Sequence, residues 1–97
     1  MTQEQRRVTR SALARYGQRG YKQSSRGRLW SLAIEKALYY YEAAEPTRAQ
    51  LIRLRYFEHR SVEETMERLN LSYSTYQKAH SDVLSTIAIY AAHGGLL

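Results

Sequence analysis

Between Ser72 and Ser81 the chain presents Tyr73, Ser74, Thr75, Gln77 and Lys78, a run of hydrogen-bonding side chains carrying one full charge. On a helix, Tyr73, Ser74, Gln77, Lys78 and Ser81 fall opposite Tyr76, Ala79 and Val83. Such a face suits base edges. A glutamine amide pairs with adenine in a bidentate way, and a lysine reaches guanine or a phosphate. Ser72, with the free N–H groups of a first helical turn behind it, suits a phosphate oxygen. A merely solvated helix face has much the same composition, so the neighbouring sequence has to discriminate.

The charge distribution points the same way. Residues 1–28 hold Arg6, Arg7, Arg10, Arg15, Arg19, Lys22, Arg26 and Arg28 against Glu4 alone, a net of +7. Residues 29–97 hold seven basic and eight acidic side chains, a net of −1, so the overall +6 sits almost wholly in the first third. That asymmetry reads as a basic arm acting on a polyanion.

Elements able to position these groups follow from the pattern. Ser61 is a good N-cap, and Glu64 three residues later completes a capping box. Val62, Thr65, Met66 and Leu69 recur at helical spacing. Asn70 tolerates the left-handed conformation of a helix C-terminus, Leu71 plugs inward, and Ser72 caps the next helix. Two helices joined by so short a turn cross steeply, which is the helix-turn-helix geometry that lets a second helix enter a major groove.

Upstream, Leu29 to Ala44 places Trp30, Ala33, Ile34, Ala37, Leu38 and Tyr41 on one stripe and stops before Pro46. Thr47 to Phe57 forms the next helix, with Leu51, Ile52, Leu54 and Phe57 inward. The last helix starts after Ser72 and runs to about Ala92, with Tyr76, Ala79, Val83 and Ile87 inward. Gln3 to Tyr16 can form a helix, but its apolar side is thin: Val8, Ala12, Leu13 and Tyr16. Gly17 to Arg28, with three glycines and two serines, reads as a flexible linker. No strand pattern occurs. The expected fold is all-α, a small helical bundle with a C-terminal helix-turn-helix and a long last helix. Residues 1–28 are expected as a basic arm and linker and residues 29–97 as the helical domain, its helix-turn-helix over 46–92.

Residues 46–87 resemble region 4 of the sigma-70 class of bacterial transcription initiation factors. Pro46-Thr47-Arg48, L-I-R-L-R-Y-F-E (Leu51 to Glu58) and S-V-E-E-T-M-E-R-L-N-L-S (Ser61 to Ser72) carry the likeness, with Tyr76 and Ala79 where that family places inward apolar residues. The chain departs from the pattern at Thr65 and Met66, where the family has a large apolar residue followed by alanine, and its reading helix is poorer in arginine. It is too short for a sigma factor and is more similar to the small prophage regulators of the ArpU and RinA type, which join such a domain to a basic N-terminal segment. The resemblance implies sequence-specific binding of double-stranded DNA and transcriptional regulation of prophage or mobile-element genes.

Other classes have less behind them. The chain has no cysteine, which excludes thiolate metal sites and disulfides and makes a reducing cytoplasm the expectation. His59, His80 and His93 lack metal-ligand spacing and Asp82 is the only aspartate, so neither an enzyme nor a cofactor is expected. The N-terminus has no secretory pattern, and Val83 to Ala92 is too short to span a bilayer, so no membrane partner is expected. Nine tyrosines allow a single-strand stacking platform in which Tyr16 and Tyr21 are the candidates, Tyr41 and Tyr76 being core. The last helix is apolar nearly all round beyond Val83, so its surplus must meet the Leu29–Ala44 helix or a second copy, and a homodimer is expected. The alternatives are a protein-interaction module docking on RNA polymerase or another partner, and a small DNA-packaging, terminase-like subunit.

Overall fold

The computed structural model describes Met1–Leu97, and its regular elements are all helical. Helix α1 spans Gln3–Arg15, capped by Thr2, whose hydroxyl accepts from Gln5 N while the Gln5 side chain returns to Thr2 N. Its apolar side is as narrow as the sequence implies, yet Leu13 and Thr9 are wholly buried and Ala12 nearly so. These residues face α2 (Ser25–Ala44) and α5 (Tyr73–His93). The first 28 residues are therefore not a loose arm. A thin stripe suffices when small side chains let the helix sit close.

The presumed linker is also structured. Gly20 takes a left-handed φ of 84°, and a single 3-10 turn follows at Tyr21–Gln23. The Tyr16 hydroxyl and Lys22 Nζ both donate to Glu35 at 2.8 Å. Tyr16 stacks on Phe57 with centroids 4.8 Å apart, and Lys22 Nζ lies 5.2 Å from the centre of the Tyr16 ring. Ser24 caps α2, so that helix begins at Ser25 rather than Leu29. Gly27 is obligatory inside it, because a Cβ there would lie 1.8 Å from the Tyr21 carbonyl oxygen. The expected boundary at residue 28 thus falls within a helix.

Helix α2 buries Trp30, Ala33, Ile34, Ala37, Leu38 and Tyr41. Glu45 interrupts it, and Pro46 opens α3 (Pro46–Ile52) in the first turn, where its missing N–H costs nothing. The helix expected to continue to Phe57 instead widens into a π turn at Arg53–Phe57, closed by Glu58 N donating to Arg53 O at 2.8 Å. His59 then adopts φ 56° and redirects the chain.

Helix α4 (Val62–Leu69) starts with the Ser61–Glu64 capping box. Asn70 ends it in the left-handed region, with Leu71 N donating to Met66 O and Asn70 N to Glu67 O. This is a Schellman motif, and its usual apolar contact is supplied by Met66 and Leu71, both packed on Leu51, Tyr76 and Ala79. Met66 thus has a place at the helix crossing.

Helix α5 is shared by the whole molecule. Its first two turns close the cluster around Leu51 and Tyr76, while Val83, Leu84, Ile87 and Ala91 complete the main core. Polar anchors fix its rotation. The Tyr41 hydroxyl pairs with Thr86 Oγ1 at 2.6 Å and donates to the Asp82 carbonyl at 3.1 Å. Arg48 bridges Asp82 at 2.6 Å and Glu45 at 3.2 Å. The apolar surplus of α5 is taken up largely by α2 of the same chain, leaving Ile89 exposed. No helix is long and apolar enough to cross a membrane.

If α1 belongs to the core, Leu13→Ala should destabilise the protein by about 2–5 kcal/mol, the usual range for emptying a fully buried leucine site. Chemical denaturation checks this, and an unchanged midpoint would return α1 to the status of a detached arm.

Candidate nucleic-acid interface

Ser72, Tyr73, Ser74, Thr75, Gln77 and Lys78 are exposed at the start of α5, and Ser81 is half-buried one turn further on. Capping sets this end. Ser72 Oγ accepts from Thr75 N at 3.3 Å and donates to Thr75 Oγ1 at 2.9 Å, so Ser72 and Thr75 serve the helix terminus. Gln77 Nε2 donates to the Tyr73 hydroxyl at 2.7 Å, which braces two outward side chains against each other. Lys78 has no carboxylate partner.

The docking of α1 brings two arginines to this face. Arg6 Nη1 donates to Ser81 Oγ at 3.2 Å. Arg6 and Arg10 then line one side of a cleft of about 650 Å³ whose other walls include Tyr73, Ser74, Gln77, Lys78 and Ser81. Arg55, from the π turn, forms part of its floor. Four cationic side chains line the cleft, and no carboxylate does.

Arg55 and the aromatic floor were not legible as site residues. Arg55 Nε donates to the Tyr76 hydroxyl at 3.0 Å and its Nη1 to the Arg60 carbonyl at 2.6 Å, tying the loop before α4 to the start of α5. Beside it, the His80 ring lies nearly parallel to the rings of Tyr56 and Tyr76, with centroids 5.9 and 5.8 Å away. His80 Nε2 and the Tyr56 hydroxyl lie 2.5 Å apart, a hydrogen bond natural to a neutral imidazole and a protonated phenol. Both states are enforced. Burial pushes the Tyr56 hydroxyl up to about 12. Burial, then the charges of Arg6, Arg55 and Arg10, lower His80 to about 4. Burial does most to hold the imidazole neutral, and the positive field of the cleft, which an anion entering it would meet, adds to that.

The remaining basic residues separate into groups. Arg7 pairs with Glu4 at 2.6 Å, and Lys22 is held by Glu35. Arg19 and Arg28 are exposed without an ion-pair partner. Arg15 and Arg26 lie on the far flank of α1, away from α5. Tyr16 is half-buried, already stacked on Phe57 and close to Lys22, and Tyr21 is half-buried beside Arg15 and Arg26. No three His, Asp or Glu side chains converge as a metal-ligand set.

Compared with protein families, curated proteins and solved structures, the chain finds no match in any of the three.

The His80 environment carries a pH signature. An unfolded histidine takes up its proton near pH 6.5, whereas the folded one waits until about pH 4. Between these values the unfolded state binds more protons, so stability is full above about pH 6.5 and falls on acidification. Wild type should therefore lose stability faster than His80→Gln between pH 7 and pH 4.5, by up to ~1.4 kcal/mol per pH unit. Denaturation at several pH values checks this. Parallel pH profiles would show that His80 is not held neutral.

Proposed function

We propose that the protein binds double-stranded DNA, presenting the first two turns of α5 to the major groove, and acts as a sequence-specific transcriptional regulator. One observation carries the reading. Arg6 and Arg10 of α1 meet the exposed start of α5 in a cleft with four cations and no carboxylate. Such a cleft lowers the cost of bringing a phosphate backbone close, while the exposed residues of α5 face the bases. The left-handed turn at Asn70 and the capping of both helices support it, since two capped helices joined by so short a turn are the arrangement of a helix-turn-helix. The resemblance of residues 46–87 to sigma-70 region 4 supports it further and directs the proposal to prophage or mobile-element genes.

In this reading Gln77 exchanges its bond to Tyr73 for an adenine edge, and Lys78 reaches guanine or a neighbouring phosphate. Arg6, Arg10 and Ser72 contact the backbone and set register. RNA polymerase is a further proposed partner, in keeping with the region 4 likeness.

A second reading, a protein-docking module, is favoured by a different surface. Tyr39, 81% exposed, and Tyr40 of α2 border an apolar cleft of about 660 Å³ with Ala43, Ala44 and Tyr90. A second copy docked there would give the homodimer expected from the sequence. Sedimentation should then show association at high micromolar concentration, and a strict monomer would remove the second copy as occupant.

For the main reading, Gln77→Ala with Lys78→Ala should weaken duplex binding by about 1–3 kcal/mol for each lost base contact while leaving the melting temperature unchanged. Both side chains are exposed, so their truncation opens no cavity. A polarisation titration against a panel of duplexes checks this. Unchanged affinity in the folded double variant would contradict the assignment of this face.

A further inference from the structure

The docked α1 divides its arginines. On a helix, Arg6 and Arg10 fall on one flank of the buried stripe formed by Thr9 and Leu13, and Arg15 falls on the other beside Val8. The second flank opens on a separate cleft of about 320 Å³ between α1 and the start of α2. Arg15 reaches it from α1 and Arg26 from α2, and Tyr21 and Ser24 also line it. Arg7 also borders it but is already paired with Glu4.

No carboxylate lines this cleft, and neither Arg15 nor Arg26 has an ion-pair partner. Both guanidinium groups act on the Tyr21 hydroxyl, where each opposes the upward push of burial. Two like charges from different helices are thus brought to one phenol with nothing on the protein to balance them. Like charges so placed repel, and an anion between them relieves the repulsion. The first turn of α2 adds to the same field, because it contains Arg26 and no acidic residue.

We infer that Arg15, Arg26 and the Tyr21 hydroxyl form a second phosphodiester site, which holds the DNA backbone flanking the groove that α5 enters. This inference rests on the DNA-binding reading. Geometry favours a phosphate of the same duplex over a separate ligand. The longest dimension of the molecule is 37 Å, about one turn of B-DNA, so both flanks of α1 fall within reach of one helical turn. Arg6 and Arg10 contact the backbone on the α5 side and Arg15 and Arg26 on the other, so α1 lies along the duplex as a clamp. Guanidinium forks suit this task, since they take phosphate oxygens in a bidentate way. The contact is indifferent to sequence and enlarges the footprint without changing what α5 reads.

The test uses the full chain, a labelled duplex of about two turns and a panel of duplexes of different sequence. Wild type, Arg15→Ala/Arg26→Ala and Arg15→Lys/Arg26→Lys are titrated by polarisation at 50 and 200 mM salt. Both arginines are exposed, so melting temperatures should agree among the three. Each lost phosphate contact removes about 0.9 from the slope of log affinity against log salt. With one phosphate held between the two arginines, the loss of affinity between the two salt concentrations should therefore be about three- to fourfold smaller in the alanine pair than in wild type. The lysine pair should recover most of that difference, and the ranking of duplexes should be the same in all three proteins. An alanine pair with wild-type salt dependence, while wild type binds duplexes, would overturn the second site and leave the DNA reading standing. A wild type that binds no duplex would overturn the DNA reading and this site with it.

Discussion

The burial of Thr9, Ala12 and Leu13 against α2 and α5 decides where the positive charge of this protein sits. Without that contact, eight basic side chains would trail from a near-neutral helical body. With it, Arg6 and Arg10 are fixed beside the start of α5, and Arg15 is fixed beside Arg26. The contact is made by a narrow stripe in which Thr9 and Ala12 are short side chains, which is why α1 can approach closely. Tyr16, Lys22 and Glu35 reinforce it by binding the turn after α1 to α2. Each of these links is local and modest, but together they convert a charged tail into a charged surface of defined shape.

That surface has an electrostatic cost inside the fold. Arg6, Arg10, Arg55 and Lys78 border one cleft, and no carboxylate lines it. The acidic residues lie elsewhere, with Glu63, Glu64 and Glu67 on α4 and Glu42 and Glu45 near the end of α2. The fold tolerates the crowding by giving some of the groups hydrogen-bond acceptors. Arg55 donates to the Tyr76 hydroxyl and the Arg60 carbonyl, and Arg6 donates to Ser81. It also keeps His80 uncharged, packed beside Tyr56 and Tyr76, so the floor of the cleft adds no further positive charge. Unbalanced charge held by a rigid floor is the arrangement expected where a polyanion binds, since the binding energy is not consumed in ordering the site.

Much of this was legible in the sequence because the signals are short-range. The Ser61–Glu64 box, the left-handed Asn70 and the Ser72 cap are local chemistry, and each occurs where its residues fall. The stripes of α2 and α5 were equally plain. The extent of α1 and the order of residues 17–28 were not, because three glycines and a thin apolar side resemble a linker until the partner surface is known. Gly27 misled most: it is an obligatory close contact rather than a point of freedom. The π turn at Arg53–Phe57 had no sequence signal, since its residues suit an ordinary helix. Tyr56 and His80 are 24 residues apart and meet only through the packing of the π turn on α5, so no spacing rule could have paired them.

In the proposed function, the start of α5 and the arginines of α1 act as one DNA-facing surface. Amide and side-chain chemical-shift mapping during titration with a short duplex tests it most directly, because the readout names the residues. Changes are expected to concentrate at Tyr73, Ser74, Gln77, Lys78 and Ser81 of α5 and at Arg6 and Arg10 of α1, with further changes at Tyr21, Arg15 and Arg26 from the second phosphate site. Tyr39, Tyr40 and Tyr90 would remain still. Changes centred on those tyrosines, or none at saturating duplex, would contradict it.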